Sequence, residues 1–376
     1  MSEEKKSGFK AFLKRKNIII SGKRYFIDAM GAMASGLFAS LLIGTIIGTI
    51  GTTLLSAFVT GTEAEGSVMA TIANGLVDIG NFAKAMAGPA MAVSIAYALQ
   101  APPLVLFSML AVGNAANSLG GAGGPLAVFF IAIITTEIGK MVSKETKVDI
   151  LVTPFVTICV GVLLSMGCAP YIGKAANLLG DLIMTATELQ PFLMGIVVSV
   201  VVGMVLTLPI SSAAICAAFG LTGLAGGAAV AGCSAQMIGF AVMSYRENKV
   251  GGLVSQGLGT SMLQMGNIIK NPRIWIPPTL ASAITGPIAT CVFGLRMDGP
   301  AVSSGMGTCG LVGQIGVYTG WTQAVEAGTK TAITAFDWIG LILISIVLPA
   351  ILSEVFCLIL RKINWIKKDD LKLNDI

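Results

Sequence analysis

Apolar positions along this chain fall in blocks far longer than an amphipathic surface helix needs, and polar positions gather in short clusters between them. Residues 25–59, which include GAMASGLFASLLIGTIIGTIGTTLLSAFV, form the first block. A helix crosses a bilayer in about 20 residues, so this block predicts a tilted or broken span. Further blocks at 79–100, 102–118, 124–142, 148–168, 191–209, 211–225 (short), 226–244, 276–295 and 337–360 predict more spans. The segment from Thr60 to Asp78 holds Glu63, Glu65 and Asp78 but no Lys or Arg, and predicts an outer loop. Residues 169–190 are mixed and polar, and predict an outer amphipathic segment.

Two stretches depart from this pattern. One begins GGLVSQGLGTSMLQMGNIIKNPRIW, and the other reads RMDGPAVSSGMGTCGLVGQIGVYTGW. Both are too polar and too rich in glycine for an ordinary membrane helix. In lipid, irregular backbone is tolerated only where protein buries it or where it lines a watery cavity. Paired, interrupted segments point to a transporter's solute site. We therefore expect re-entrant hairpins near 250–273 and 296–321. The fold class that follows is an all-α polytopic membrane protein with about ten transmembrane helices plus the two hairpins. A basic leader (1–24), a single transmembrane domain (25–360) and a tail (361–376) complete the expected organisation.

Charge orients this arrangement. Residues 1–24 carry eight Lys or Arg against two Glu and predict an amphipathic leader on the cytoplasmic membrane surface. KMVSKETK, RENK and RKINWIKK read as inner segments. Only Lys84, Lys174, Arg296 and Lys330 then fall outside, in keeping with the positive-inside rule, and both termini are placed in the cytoplasm. The basic leader runs into a very long apolar block with no small-residue cleavage site, which predicts no cleavable signal peptide. The hydrophilic stretches are too short to fold alone, so any catalytic domain is expected on a separate chain.

Composition narrows the chemistry. The 376 residues are 55% hydrophobic and 11% charged, against about 25% charged in a soluble domain. The net charge of +5 lies beside membrane ends and aromatics are only 7%, which argues against nucleic acid as a partner. Histidine is absent, which excludes a histidine ligand, base or phosphohistidine in this chain. The seven cysteines form no CxxC pair and read as packing residues, so neither a metal nor a cofactor is expected.

Several strings resemble the membrane-embedded IIC component of the bacterial sugar phosphotransferase system, most like its fructose-type branch. IAYALQAPP followed by GNAANSLGGAGG resembles that family's Tyr-then-Pro span and glycine-rich turn. AVFFIAIITTEIGKMV resembles the helix that follows, and GNIIKNPRIWIPPTLASAITGPI the exit from the first hairpin. The resemblance implies a multi-pass bacterial plasma-membrane permease that works as a homodimer by alternating access. Its early spans would form a scaffold and its later ones a solute-holding domain. A separate phosphorylated IIB chain would modify a sugar at the inner face. The family's hairpin glutamate has no counterpart here, because the region reads GTSMLQMGN. That departure keeps open a non-phosphorylating IIC-like carrier or channel for another solute such as an organic acid. A receptor that binds solute without moving it is a third class.

Sugar hydroxyls stripped of water need hydrogen-bond partners. Gln256, Gln264, Asn267 and Gln314, with Ser261 and Thr260, have the required chemistry; alternatively they satisfy the hairpins' own freed backbone groups. Asn114 and Asn117 either face the cavity or cap a helix end. Gln236 reads as a hydrogen-bonding link between helices. Asp298, beside Arg296, is a gate, a ligand or half of an exposed ion pair. Glu137 sits three residues from Lys140, and Glu354 has no obvious partner in the sequence. Lys270 and Arg273 either meet an anionic phosphocarrier or serve topology alone. No nucleophile–base pair or phosphate-cradling loop is evident.

Overall fold

The computed structural model describes residues 11–58, 68–187 and 190–373. Among them every named element is helical, and an isolated antiparallel bridge joins Gly223 to Met297. In chain order the α-helices are α1 (Ala29–Leu37), α2 (Ile43–Phe58), α3 (Val68–Ala85), α4 (Ala87–Ala98), α5 (Pro103–Gly120), α6 (Gly124–Val142), α7 (Asp149–Thr187) and α8 (Pro191–Thr207). They continue with α9 (Ser212–Ala218), α10 (Gly223–Met243), α11 (Tyr245–Val254), α12 (Met265–Lys270), α13 (Ile276–Pro287), α14 (Val312–Glu326), α15 (Ala335–Ile342) and α16 (Leu348–Lys362). Five runs are long and apolar enough to cross a bilayer: Arg24–Thr52, Pro103–Val142, Asp149–Thr187, Gly223–Met243 and Ala335–Lys362. Ala87–Ala98 and Pro191–Thr207 are shorter apolar helices. The molecule is an all-α polytopic membrane protein.

Three boundaries differ from expectation. The acidic segment that begins at Thr60 lies partly outside the described residues, and helix α3 already begins at Val68, so Asp78 is helical. The span expected to end at 168 does not end there: α7 continues through Pro154 and Pro170 to Thr187, so most of the amphipathic segment expected over 169–190 is its second half. Lys174, Asn177 and Asp181 are exposed along this second half. The short span expected at 211–225 is broken: α9 covers only Ser212–Ala218, and the αL glycines Gly220 and Gly223 separate it from α10.

The chain divides into two compact units, Met1–Ser40 with Met86–Lys174, and Leu41–Ala85 with Ala175–Ile376. In the first, α4 and α5 cross at Gly88 and Gly113, where a Cβ on either would collide with the other's carbonyl oxygen. Such close approach suits helix association in lipid, where dispersion contacts replace the hydrophobic drive. Lys140 is 1% exposed and donates to the carbonyls of Asn17 (2.8 Å) and Leu99 (3.0 Å), while Arg24 also donates to Leu99 (2.6 Å). These cations complete the carbonyl end of α4. They also hold the leader, whose Lys16 and Arg15 pair with Glu145 at 2.5 and 2.7 Å.

The second unit is built around α10, which is buried almost along its whole length. Its residues are mostly Gly, Ala, Ser and Cys, so neighbouring backbones approach it closely. A Cβ on Gly203 of α8 would meet the Gly232 carbonyl oxygen at 2.7 Å, and one on Gly232 would collide with Ser199. Ser199 donates to Ser282 of α13 at 2.8 Å, and Ser282 donates to Gly232 at 3.3 Å. Helices α8, α10 and α13 thus form a glycine-and-serine triad. Ser353 of α16 packs on Gly239. Around this frame the stretches 245–275 and 293–311 are broken into short pieces.

Candidate functional site

The first broken stretch changes pitch several times. Lys249 sits at φ 54°, residues Ser255–Gly259 form a π-turn, and Thr260 is extended. The Thr260 hydroxyl accepts from Met262 N at 3.1 Å and caps a 3-10 turn over Ser261–Gln264. After α12, Asn271 is extended and its side chain caps a second 3-10 turn, Pro272–Trp275. The second stretch turns at Gly294, Gly307 and Gly310, with Leu311 also at positive φ, before α14 begins. Gly307 fits against Cys233 and Ser234, where a Cβ would stand 2.6 Å from that of Cys233.

Both stretches converge on the middle of α10. Ser234 and Gln236 are two residues apart, roughly 200° around a helix, and they engage different stretches. On the first side, Ser261 Oγ lies 2.8 Å from Thr207 Oγ1, which donates to Gln236 Oε1 at 3.3 Å. Trp275 Nε1 donates to the same oxygen at 2.9 Å, and Gln236 Nε2 donates to Thr279 at 3.2 Å. On the second side, Gln314 Nε2 donates to Ser234 at 3.2 Å. Gln314 Oε1 is buried and has no hydrogen-bond partner among the described residues. The Thr308 hydroxyl donates to the Gly257 carbonyl at 2.5 Å and ties the two stretches together. An apolar crevice of about 330 Å³ adjoins them, lined by Ile46, Ile50 and Leu54 of α2 with Leu258, Leu311 and Ile315.

A second polar group lies along the first stretch. Gln256 donates to Ser244 at 2.8 Å and accepts from Gln264 at 2.9 Å. Gln264 accepts from Asn267 at 2.8 Å. Gln264 and Asn267 also donate to the carbonyls of Leu371 and Lys372, each at 2.9 Å. Gln256, Gln264, Asn267 and Ser261 are all buried, the first three in one amide chain and Ser261 against Thr207. Gln314 stands in the other cluster. Asp298 is exposed and forms a two-point pair with Arg296, at 2.9 and 3.3 Å. Asn114 and Asn117 lie on α5 in the first unit; Asn114 is exposed, and Asn117 packs against Gly88 and Gly124. Lys270 is exposed, with its ammonium 3.5 Å from Asn267 Oδ1, and the Arg273 guanidinium sits 5.0 Å from the centre of the Trp365 ring.

The hydroxyls of Thr207, Ser234, Thr279 and Thr308 and the indole of Trp275 were not singled out in the sequence. Serine and threonine in membrane helices usually bond back to their own helix, so their type alone carries little signal. Glu354, which has no partner nearby in sequence, pairs with Arg246 at 2.9 Å, and Glu247 pairs with Arg361 at 2.7 Å. Among the described residues no group of three or more Cys, Asp or Glu could hold a metal.

A family model described as "Phosphotransferase system, EIIC" matches residues 27–373. No curated protein matches the chain. The family match takes in nearly the whole sequence, both broken stretches and α10 included. The chain belongs to the EIIC family of the phosphotransferase system and is a membrane transporter component of that type.

Proposed function

We propose that this EIIC protein binds a neutral sugar where its two broken stretches meet α10 and carries it across the plasma membrane by alternating access. A separate IIB chain phosphorylates the sugar at the inner face, both termini are cytoplasmic, and two copies form the working dimer. The single observation that carries the reading is Gln314. Its nitrogen is anchored on Ser234, and its buried Oε1 lacks a donor among the described residues. An unpaired buried acceptor costs roughly 1–3 kcal/mol, and a solute hydroxyl is a donor that would remove the penalty. Ser234 and Thr308 on the second side of α10 are neutral, as are Thr207, Gln236, Ser261 and Thr279 on the first, which favours a polyol-like solute over an organic acid.

A thermal-shift screen of the purified protein against sugars, polyols and sugar acids tests this. Neutral sugars should raise the melting temperature. Gln314→Leu should weaken the response at least about tenfold in ligand concentration, since one good hydrogen bond accounts for about 1.4 kcal/mol. The unliganded melting temperature should change little, because the substitution removes the orphaned acceptor but also the donor to buried Ser234, and the two effects offset. Stabilisation by anions alone, or an undiminished sugar response in Gln314→Leu, would overturn the assignment.

A further inference from the structure

The amide chain of the first broken stretch has a resident occupant. Residues 364–373 return along it, and most of the contacts are side-chain amide to backbone. Asn248 Nδ2 donates to the Leu371 carbonyl at 2.8 Å, while its Oδ1 accepts from Leu373 N at 2.8 Å. Gln264 reaches the same Leu371 carbonyl, and Asn267 the carbonyl of Lys372. Asn271 Nδ2 donates to the Trp365 carbonyl at 2.9 Å and to Asp370 Oδ2 at 2.8 Å. Burial alternates along the occupant: Leu371 is 0% exposed and Leu373 7%, with Lys372 exposed between them. Ile366, at 2%, provides another buried anchor.

Backbone hydrogen bonds combined with sockets for alternate side chains are how proteins recognise extended peptides. Here side-chain amides supply the ladder that a sheet edge supplies elsewhere. We propose that Asn248, Gln264, Asn267 and Asn271 form a peptide-recognition trough for an Asp-Leu-x-Leu segment presented on a turn, filled in cis by residues 370–373, where Lys372 N donates back to the Asp369 carbonyl at 3.1 Å. Because the four amides belong to both limbs of the first broken stretch, the seated segment straps those limbs together, and its release frees the stretch to move. The trough is separate from the Gln314 cluster, and its assignment does not depend on any solute.

Limited trypsin digestion of the full chain in detergent tests the strap. Lys367, Lys368 and Lys372 should be cut at least about tenfold more slowly than the exposed Lys147, because cleavage tracks the population of the released segment. A synthetic peptide of residues 365–373 with its three lysines acetylated, so that trypsin leaves it intact, should in excess displace the strap and accelerate that cleavage, whereas an acetylated scrambled peptide should not. Asn248→Ala with Asn267→Ala should accelerate it without peptide. Leu371→Asp with Leu373→Asp leaves the trough intact and keeps the test open if the first variant misfolds. This tail variant should bind the labelled 365–373 peptide in an anisotropy titration, while the unmodified chain, already occupied, should bind it at least about tenfold more weakly. Rapid tail cleavage in the unmodified chain, or a tail variant that ignores the peptide, would overturn the proposal.

Discussion

Replacing Gly203 with alanine tests whether the glycine triad sets the spacing of the candidate site. The new methyl would meet the Gly232 carbonyl oxygen at 2.7 Å, the Gly232 carbonyl carbon at 2.9 Å and Gln236 Cγ at 3.1 Å. An ordinary contact for such atoms is about 3.4 Å or more, so α8 and α10 must part by roughly half an ångström or more, or bend. Overpacking of this size costs about 1–3 kcal/mol, a factor of roughly 5–150 in the folding equilibrium. The displaced pair carries Thr207 and Gln236, so ligand-induced stabilisation should fall together with intrinsic stability. Gly75→Ala on α3 is the control, since its Cβ would meet nothing within 4 Å. There the gain in helix propensity should stabilise by about 0.5–1 kcal/mol. Thermal and denaturant melts of the purified variants read both effects. If Gly203→Ala matched Gly75→Ala in sign and size, the close crossing would not exist as described.

Other sites give sharper contrasts. Arg361 and Glu247 pair with side chains only 17% and 4% exposed, so Arg361→Ala, which leaves the carboxylate buried without its cation, should cost about 3–5 kcal/mol. The more open Arg246–Glu354 pair, at 55% and 27% exposure, should cost under about 1 kcal/mol when Arg246 is truncated; equal losses in denaturant melts would contradict this ranking. Gln236→Leu orphans the Trp275 indole N–H and should cost about 1–3 kcal/mol, and adding Trp275→Phe should recover part of the loss in a double-mutant cycle. The hydrogen bond from Lys16, reinforced by the nearby Arg15 charge, holds the Glu145 carboxyl below its ordinary value. Its contribution to leader docking is therefore complete above the ordinary glutamate range and is lost as pH falls through the lowered value. Trypsin cleavage at Lys14–Lys16 should accelerate on that acidic side, read by a brief pH jump and return, and Glu145→Gln should abolish the pH dependence.

Most of the helical content was legible because long apolar blocks have few alternatives in lipid. The glycine-rich, amide-bearing stretches 250–273 and 296–321 also stood out; the first is interrupted at Thr260 and Asn271, and the second at Gly307, Gly310 and Leu311, after which α14 runs on unbroken. What failed was punctuation. Pro170 and the polar residues after it look like the end of a helix, but the backbone of α7 continues through them. The interruption at Met86, by contrast, divides α3 from α4 just ahead of Gly88 and Pro89, a break signal inside a block read as one span.

The polar groups posed a harder problem, because residue type does not reveal what already satisfies a group. Gln264 and Asn267 have suitable chemistry for a sugar, yet their nitrogens are engaged by carbonyls 107 and 105 residues away. Glu354 lacks a neighbour in sequence because its partner is 108 residues distant. Ser261 and Thr207, 54 residues apart, meet where the first broken stretch packs on α8, one turn from the close approach of Gly203 to Gly232. The same amide can be a ligand, a strap or a brace, and pairing distinguishes these roles more sharply than burial does. In a membrane interior the groups worth testing first are those whose hydrogen bonds remain incomplete after the fold has formed. Gln314 meets that criterion: one end of its amide is tied to α10 and the other points at no donor among the described residues.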